Sequence, residues 1–344
     1  MITTESSTNI EPQVKKRPLR ILMVTGIYPT ERKPHSGTFI KTVVEGLISE
    51  GHYVEVIHPS PGPVPIRYLS AAIQVFFKTL AGRFDIVDGN YGLWCLAARL
   101  QWTTPVVANF HGDDLLGTPN VDGSRTKKSL FVVYVSRWLC RFVDEVIVKS
   151  EQMKKIAIGD KIHIVPSCVD FDLFHPIPRE EARASLNWAP DKYYILFGND
   201  PQIPRKNFPL AQAAVERLKE RGISAELVVA NGLPQTTLVQ YINASNALIL
   251  TSMIEGSPTG AKEAMACNVP VVTVEAGDVL QSIGRTRGCK VCPRDADALA
   301  IALEEALLLK ESTTGRTDIA YAKSSTVVKD IISIYELARS KKTR

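Results

Sequence analysis

At 344 residues the chain is long enough for two domains and a sizeable core, and its composition is that of an ordinary globular protein. The net charge of +5, from 41 basic and 36 acidic residues, is too small to argue for nucleic acid, although the surplus suits an anionic membrane surface or a phosphate-bearing substrate. Of the six cysteines only Cys289 and Cys292 stand close together, and with no second pair they read as small apolar residues at a strand edge rather than a zinc site, which fits a reducing cytoplasm.

Residues 1–17 are polar, acidic first and then basic, without the apolar core of a signal peptide, and a frayed lead-in is expected there. The longest apolar runs, around Ile73–Phe77 and Leu130–Val135, fall short of the ~20 residues that span a bilayer. Arg20–Thr25 predicts a buried strand, Phe39–Glu50 a helix and Tyr53–His58 the next strand. The loop between the first two contains Gly26 and Gly37 but is not GxGxxG, so it gives no dinucleotide fingerprint. After a proline-rich loop at Pro59–Pro65, Ile66–Leu80 predicts a helix with Ile66, Leu69, Ile73, Phe76, Phe77 and Leu80 on one broad face. Core packing is the expected use of that face, and membrane contact is the second reading.

Asp85–Asp88 predicts a short strand, Gly89–Gly92 leads into a helix ending near Gln101, and Pro105–Phe110 predicts a strand running directly into His111-Gly112-Asp113-Asp114. Ligands of open parallel sheets bind at the carboxyl ends of strands, so a His at such an end, followed by a Gly that permits close backbone approach, is a functional candidate. Ser129–Asp144 predicts a helix whose Arg137 and Arg141 read as a solvated face, and Glu145–Val148 and Ile162–Pro166 complete a first sheet. The second half repeats the alternation. Strands are expected at Tyr193–Gly198, Leu227–Ala230, Ala247–Leu250 and Val269–Val274, with helices at Pro209–Glu220, Leu238–Ala244, Pro258–Cys267, Ala296–Lys310 and Ser324–Arg339.

The stretch Ala247–Val274 carries the most chemistry. Ser257 is the expected N-cap and Pro258 the first helical residue, with Asn268 and Pro270 as the stop. A capping box would place Glu or Gln where Gly260 stands, so the N–H groups of Gly256, Thr259 and Gly260 are left for an anion. Glu255 and Glu263 are separated by about 12 Å of idealised helical rise, too far for a compact acid/base dyad. That spacing suits a long ligand with hydroxyls at both ends and phosphates between them, the shape of a nucleotide-sugar.

The segment SMIEGSPTGAKEAMACNVPVV resembles the donor-site signature of retaining glycosyltransferases of family 4, in the subgroup that writes EGSP. The resemblance implies an α/β protein of two facing Rossmann-like domains, the GT-B arrangement, with an inter-domain cleft and the donor held mainly by the C-terminal domain. It divides the chain into the lead-in 1–17, an acceptor-side domain 18–166, a crossing 167–178, a nucleotide-sugar domain 179–323 and a helix 324–344 that returns to the first domain. By the same resemblance Glu255 contacts the sugar hydroxyls and Glu263 the ribose, with Gly256, Ser257, Thr259 and Gly260 on the donor. His111 and Asp113 lie near the reacting sugar, with Asn90 and Tyr91 as further acceptor-side candidates. Gly37 matches a glycine loop set against the phosphates, a plain tight turn being the other reading.

Lys206 matches the phosphate-binding lysine, but Asn199 stands where relatives carry Arg and the loop to Lys206 is two residues longer, so Arg205 is the candidate to supply the missing charge. Relatives commonly have Asn-Gly where this chain has Ser167-Cys168. His111, Lys206 and Glu255 are the catalytic candidates. Asp170/Asp172 and Asp295/Asp297 match the letters of a metal-binding DxD, yet one pair lies in the crossing and the other opens a helix, so neither a metal nor a cofactor is expected. The expected activity is transfer of a sugar from a UDP- or GDP-linked donor to a hydroxyl of a glycan, lipid-linked or small-molecule acceptor, in the cytoplasm or at the inner face of a membrane, without nucleic acid. Two alternatives are a catalytically weak sugar-nucleotide-binding scaffold and a glycoside hydrolase. The hydrolase needs its carboxyls about 5 Å apart for retention or about 6.5–9.5 Å for inversion.

Overall fold

The computed structural model describes residues 17–58, 62–120, 123–309 and 311–342. The expected lead-in, apart from Arg17, and residues 59–61 of the proline-rich loop lie outside the described residues. The first unit alternates β1 (Arg20–Val24), α1 (Thr38–Ser49), β2 (Tyr53–Ile57), α2 (Val64–Leu80), β3 (Ile86–Asn90), α3 (Gly92–Arg99), β4 (Val106–Asn109), α4 (Asp113–Leu116), α5 (Lys127–Leu139), β5 (Glu145–Val148), α6 (Glu151–Ile156) and β6 (Ile162–Ile164). Its strands form one parallel sheet in the order β2-β1-β3-β4-β5-β6. The second unit runs α7 (Arg179–Leu186), β7 (Tyr193–Phe197), α8 (Phe208–Glu220), β8 (Ala225–Val229), α9 (Gln235–Ala244), β9 (Ala247–Leu250), α10 (Thr259–Ala266), β10 (Val271–Val274), α11 (Val279–Ile283), β11 (Lys290–Cys292), α12 (Ala296–Leu307) and α13 (Gly315–Asp318). Its parallel sheet has the order β11-β10-β9-β7-β8.

The strands are short runs of Val, Ile and Leu because helices cover both faces of each sheet, which leaves little need for polar alternation. Two apolar clusters sandwich the first sheet, one under α2, α3 and α5 and the other under α1 and the last helix, α14 (Ser324–Lys342). Two more do the same for the second sheet. The chain therefore crosses between units twice, and the crossings are hydrogen-bonded to each other: Val169 N–H donates to Ala322 O and Ser324 N–H to Val169 O, both at 2.9 Å. On the first unit, α14 buries Tyr335 completely and its hydroxyl donates to Asp88 Oδ2 at 2.5 Å.

Several expectations are corrected. The apolar face of α2 is not in the core: Ile66, Leu69, Ile73, Phe76, Phe77 and Leu80 are all exposed, Phe77 by 65%. The helix seats itself through Ala71, Ala72, Val75 and Thr79, whose small size lets it pack closely and leaves the large side chains outside. Helix α5 begins two residues earlier than expected because Thr126 caps it, accepting from Ser129 N–H, and it ends at Leu139. Ser257 does not cap α10; Pro258 occupies that position in an extended conformation, and no side chain caps the helix. The hydroxyl of Ser257 is engaged elsewhere, as described below. Gly89 and Asn90 belong to β3 rather than to a loop. Cys289 and Cys292 flank or end β11, an edge strand of the second sheet. Of the two DxD look-alikes, Asp295 caps α12 by accepting from Ala298 N–H, and Asp170 accepts from the N–H groups of Asp172 and Leu173.

Candidate active site

The carboxyl ends of the two sheets face each other across a cavity of about 270 Å³. Its first-unit wall carries Tyr91, His111 and Asp113, and its second-unit wall carries Asn199, Arg205, Lys206, Glu255, Ser257, Thr259, Gly260 and Glu263. Gly37, Asn90 and Gly256 stand one layer back. Gly37 is the N-cap of α1 in the left-handed region (φ 69°), and a Cβ there would sit 2.7 Å from Ile27 O. The turn alone thus requires glycine at that position.

The cations come from a 3-10 turn at Pro204–Lys206, tied to the loop after β9: Met253 N–H donates to Arg205 O at 2.8 Å, and Thr251 Oγ1 donates to Lys206 O and Asn207 O. Lys206 Nζ donates to Glu255 Oε1 at 2.6 Å. Arg205 spans the cleft, with Nε 3.3 Å from Asp113 Oδ2 and an Nη 3.9 Å from Glu255 Oε2. Burial alone would raise the Glu255 carboxyl, but the charges of Lys206 and Arg205 outweigh it and hold the group below its ordinary value. Among the described residues Glu263 has no such neighbour, and burial pushes it up to about 7. The two carboxyls thus titrate in different ranges, Glu255 below the ordinary carboxylate value and Glu263 near neutrality.

His111 is held from below. Its Nε2–H donates to Asn90 Oδ1 at 2.9 Å, with the Asn90 amide oriented by its Nδ2–H contact to Asp88, so Nδ1 is left as an acceptor. The backbone N–H groups of His111 and Gly112 donate to Asp114. The ring packs between Tyr91 and Phe39 in tilted contacts, at centroid distances of 4.6 and 5.1 Å. Burial, and then the nearby Lys149 charge, push the imidazole well below its usual value, so it is neutral at pH 7. Asn90 itself is only 2% exposed and orients His111 instead of facing the cavity as an acceptor-side group.

The loop from Glu255 to Pro258 is fixed by backbone packing and by one buried charge pair. A Cβ on Gly256 would lie 2.0 Å from His111 O, and one on Gly277 would lie 2.7 Å from Gly256 O, so three chain segments meet with no room for a side chain. Ser257 Oγ donates to Asp278 Oδ2 at 2.8 Å and accepts from Lys262 Nζ and, at 3.0 Å, from Ser167 N–H in the crossing. Lys262 is fully buried and pairs with Asp278 at 2.5 Å. From outside, the Arg294 guanidinium donates to the carbonyls of Thr251 and Ser252 at 3.0 Å.

Two family descriptions match the chain in tandem: "Glycosyltransferase Family 4" over residues 36–173 and "Glycosyl transferases group 1" over residues 179–323. The chain is a GT-B glycosyltransferase, family-4-like in its first unit and group 1 in its second. This glycosyltransferase is 22% identical to TuaC of Bacillus subtilis (strain 168), a glycosyltransferase named for teichuronic acid biosynthesis, over 83% of this chain and 88% of that protein. It is 27% identical to a D-inositol 3-phosphate glycosyltransferase of Actinosynnema mirum over 70% of this chain and 67% of the relative. Among solved structures, sucrose-phosphate synthase from Thermosynechococcus elongatus superposes with a TM-score of 0.74 at 18% identity, covering 94% of this chain and all of that one. An Anabaena protein, HepE, solved with UDP and glucose, gives 0.62 at 14% identity over 94% and 99%. At these identities the two structures speak for the fold, two facing parallel-sheet units.

Four charged groups around this glycosyltransferase's site were not read from the sequence: Lys262, Asp278 and Arg294, which brace its loops, and Lys149, whose buried charge acts on His111. Lys149 follows β5 directly, 5% exposed, and burial lowers it to about 8. A lysine inside an apolar-looking helix start, or just past a buried strand, was the available signal in two of the four, because such a charge needs a partner.

Proposed function

We propose that this enzyme is a retaining glycosyltransferase that moves a sugar from a UDP- or GDP-linked donor to an acceptor hydroxyl. The observation that carries the reading is the placement of Lys206 and Arg205 beside the uncapped N-terminus of α10, with Glu255 on one side and Glu263 on the other. The diphosphate lies against the two cations and the helix N–H groups. These groups meet the charge that develops on the leaving diphosphate, and because they are already in place they stabilise the transition state without reorganisation. Glu263 accepts from the ribose hydroxyls and Glu255 from the transferred sugar, while neutral His111 offers a hydrogen-bond acceptor beside the sugar from the first domain. HepE, solved with UDP and glucose, supports a nucleotide-sugar donor in this fold.

Glu255 is the counterion of Lys206, so the donor phosphates share or replace that ion pair. With the phosphate charge met by protein groups, no metal is needed, and EDTA should leave transfer intact. Thermal denaturation with a panel of UDP- and GDP-sugars tests the donor, because a ligand at 100 times its Kd stabilises by about 2.7 kcal/mol. Following the anomeric proton of the product by NMR tests retention. No shift with any nucleotide-sugar would overturn the reading.

A further inference from the structure

We propose that the outer face formed by α2, the end of α3 and α5 rests on an anionic lipid bilayer, and that the acceptor is an amphiphile drawn from that bilayer. This rests on the glycosyltransferase reading above and adds the acceptor's class to it. Helices α2 and α5 pack on either side of α3, on the same face of the first sheet. Outward from α2 stand Ile66, Leu69, Ile73, Phe76 and Phe77, and outward from α5 stand Leu130, Phe131, Tyr134 and Trp138, each at least 41% exposed. Trp102, just beyond α3, is 69% exposed. Aromatic and aliphatic side chains gathered on one side of a soluble domain, without a protein neighbour, are suited to the headgroup boundary of a membrane.

The charge decides among occupants. Residues 64–83 and 125–143 contain eight Lys or Arg and no Asp or Glu; without these eight, the chain's +5 becomes −3. Lys78 is paired with Glu55 at 2.5 Å, but the flank at Lys127, Lys128, Arg137 and Arg141 lies on the surface of α5 and the turn after it. A second copy of this chain would set one basic face against another, whereas anionic headgroups complement it. No helix among the described residues is long and apolar enough to cross a membrane, so the chain lies on the surface.

The acceptor's route follows from a second cavity, about 620 Å³, between the N-terminal halves of α2 and α5. Val64, Arg67 and Tyr68 line it from α2, and Lys128 and Val132 from α5. At its inner end it reaches Tyr91 and Asp113, which also line the donor cavity. A head group standing out of the bilayer would thus enter between the two membrane-facing helices and present its hydroxyl beside His111.

The test is flotation of the full chain with vesicles of phosphatidylcholine alone or mixed with phosphatidylglycerol. We expect binding to the mixed vesicles only, and release by high salt. The double variant Arg137→Glu/Arg141→Glu should lower binding by tenfold or more, on the basis of about fivefold per basic residue near an anionic surface, and Phe76→Ser/Phe77→Ser should lower it by about as much through lost apolar burial. Their circular dichroism and slow hydrolysis of the nucleotide-sugar donor should match the parent chain. Unchanged flotation of both variants overturns the proposal, as does a dimer in light scattering that the Phe76/Phe77 variant dissolves. Radiolabelled donor incubated with membranes should place label in the solvent-extractable lipid; label in water-soluble product alone overturns the acceptor assignment. Nucleotide binding without vesicle binding sinks this inference only, whereas absence of nucleotide binding sinks the function beneath it.

Discussion

Lys206 and Arg205 are adjacent in sequence but differently committed. Among the described residues Lys206 pairs with Glu255 alone, while Arg205 is shared between Glu255 and Asp113. Lys206→Ala should therefore cost more donor turnover than Arg205→Ala, roughly ten- to a hundredfold against a smaller loss, from hydrogen bonds to charged groups of about 1.5–3 kcal/mol. Equal losses in initial rates would remove Lys206 from its special place. The two glutamates separate in the same way. Glu255→Gln should depress turnover and spare nucleoside diphosphate binding, because its proposed partner leaves with the sugar; Glu263→Gln should weaken donor and product alike.

Glu263, pushed up to about 7, adds a pH signature. Ribose hydroxyls donating to it favour the ionised form, so binding releases a proton. Product affinity should then fall as pH drops below about 7 and level off above it, and Glu263→Gln should flatten the profile in calorimetry. Stability runs the other way. Its folded value is raised above the ordinary 4.5, so the contribution is full below about pH 4.5 and is lost as pH rises to about 7. The sequence made Glu255, Glu263, Lys206 and His111 legible because motif spacing survives without coordinates. It did not reveal that two cations separate the carboxyls, since that depends on Lys206 and Arg205 reaching Glu255 from 49 and 50 residues away.

At the scale of elements, the loop before α10 is a junction of three backbones. Gly256→Ala would place a Cβ 2.0 Å from His111 O, so the two units must part there. Turnover should fall a hundredfold or more and Tm by several degrees, measured by initial rates and calorimetry. Beside it, Lys262→Met strands the Asp278 carboxylate in the interior, where breaking a buried pair costs about 3–5 kcal/mol; adding Asp278→Leu should recover much of that. A double variant no more stable than Lys262→Met would show that the pair itself was not what the interior required. The strands other than β11 were legible as apolar runs, whereas β11, of three residues, and α4, α6, α11 and α13, each of four to six residues, are too short to display a period. Helix α2 is a different failure. Its periodicity is real, but periodicity only says that one face is apolar, and whether a neighbour covers that face is a fact about the rest of the molecule.

On the scale of the whole molecule, the final helix binds the two units into one. Residues 324–342 complete the core over β1, β3 and β4, and a Cβ on Gly46 of α1 would lie 2.6 Å from Val328. Tyr335→Phe removes the hydrogen bond to Asp88, whose carboxyl burial already lifts to about 6. Loss of that neutral partner should destabilise by about 1–3 kcal/mol, read as a lower denaturant midpoint at neutral pH.

The placement of this helix also sets an order of events in synthesis. The whole first sheet has emerged by residue 164, yet α14, which shares the cover of its second face with α1, begins about 160 positions later. At about 5–20 residues per second the apolar sides of β1 and α1 stand open for roughly ten to thirty seconds while the other unit is still being translated. The half of the chain made first is thus the half finished last, and part of its apolar surface stays uncovered until the closing segment leaves the ribosome.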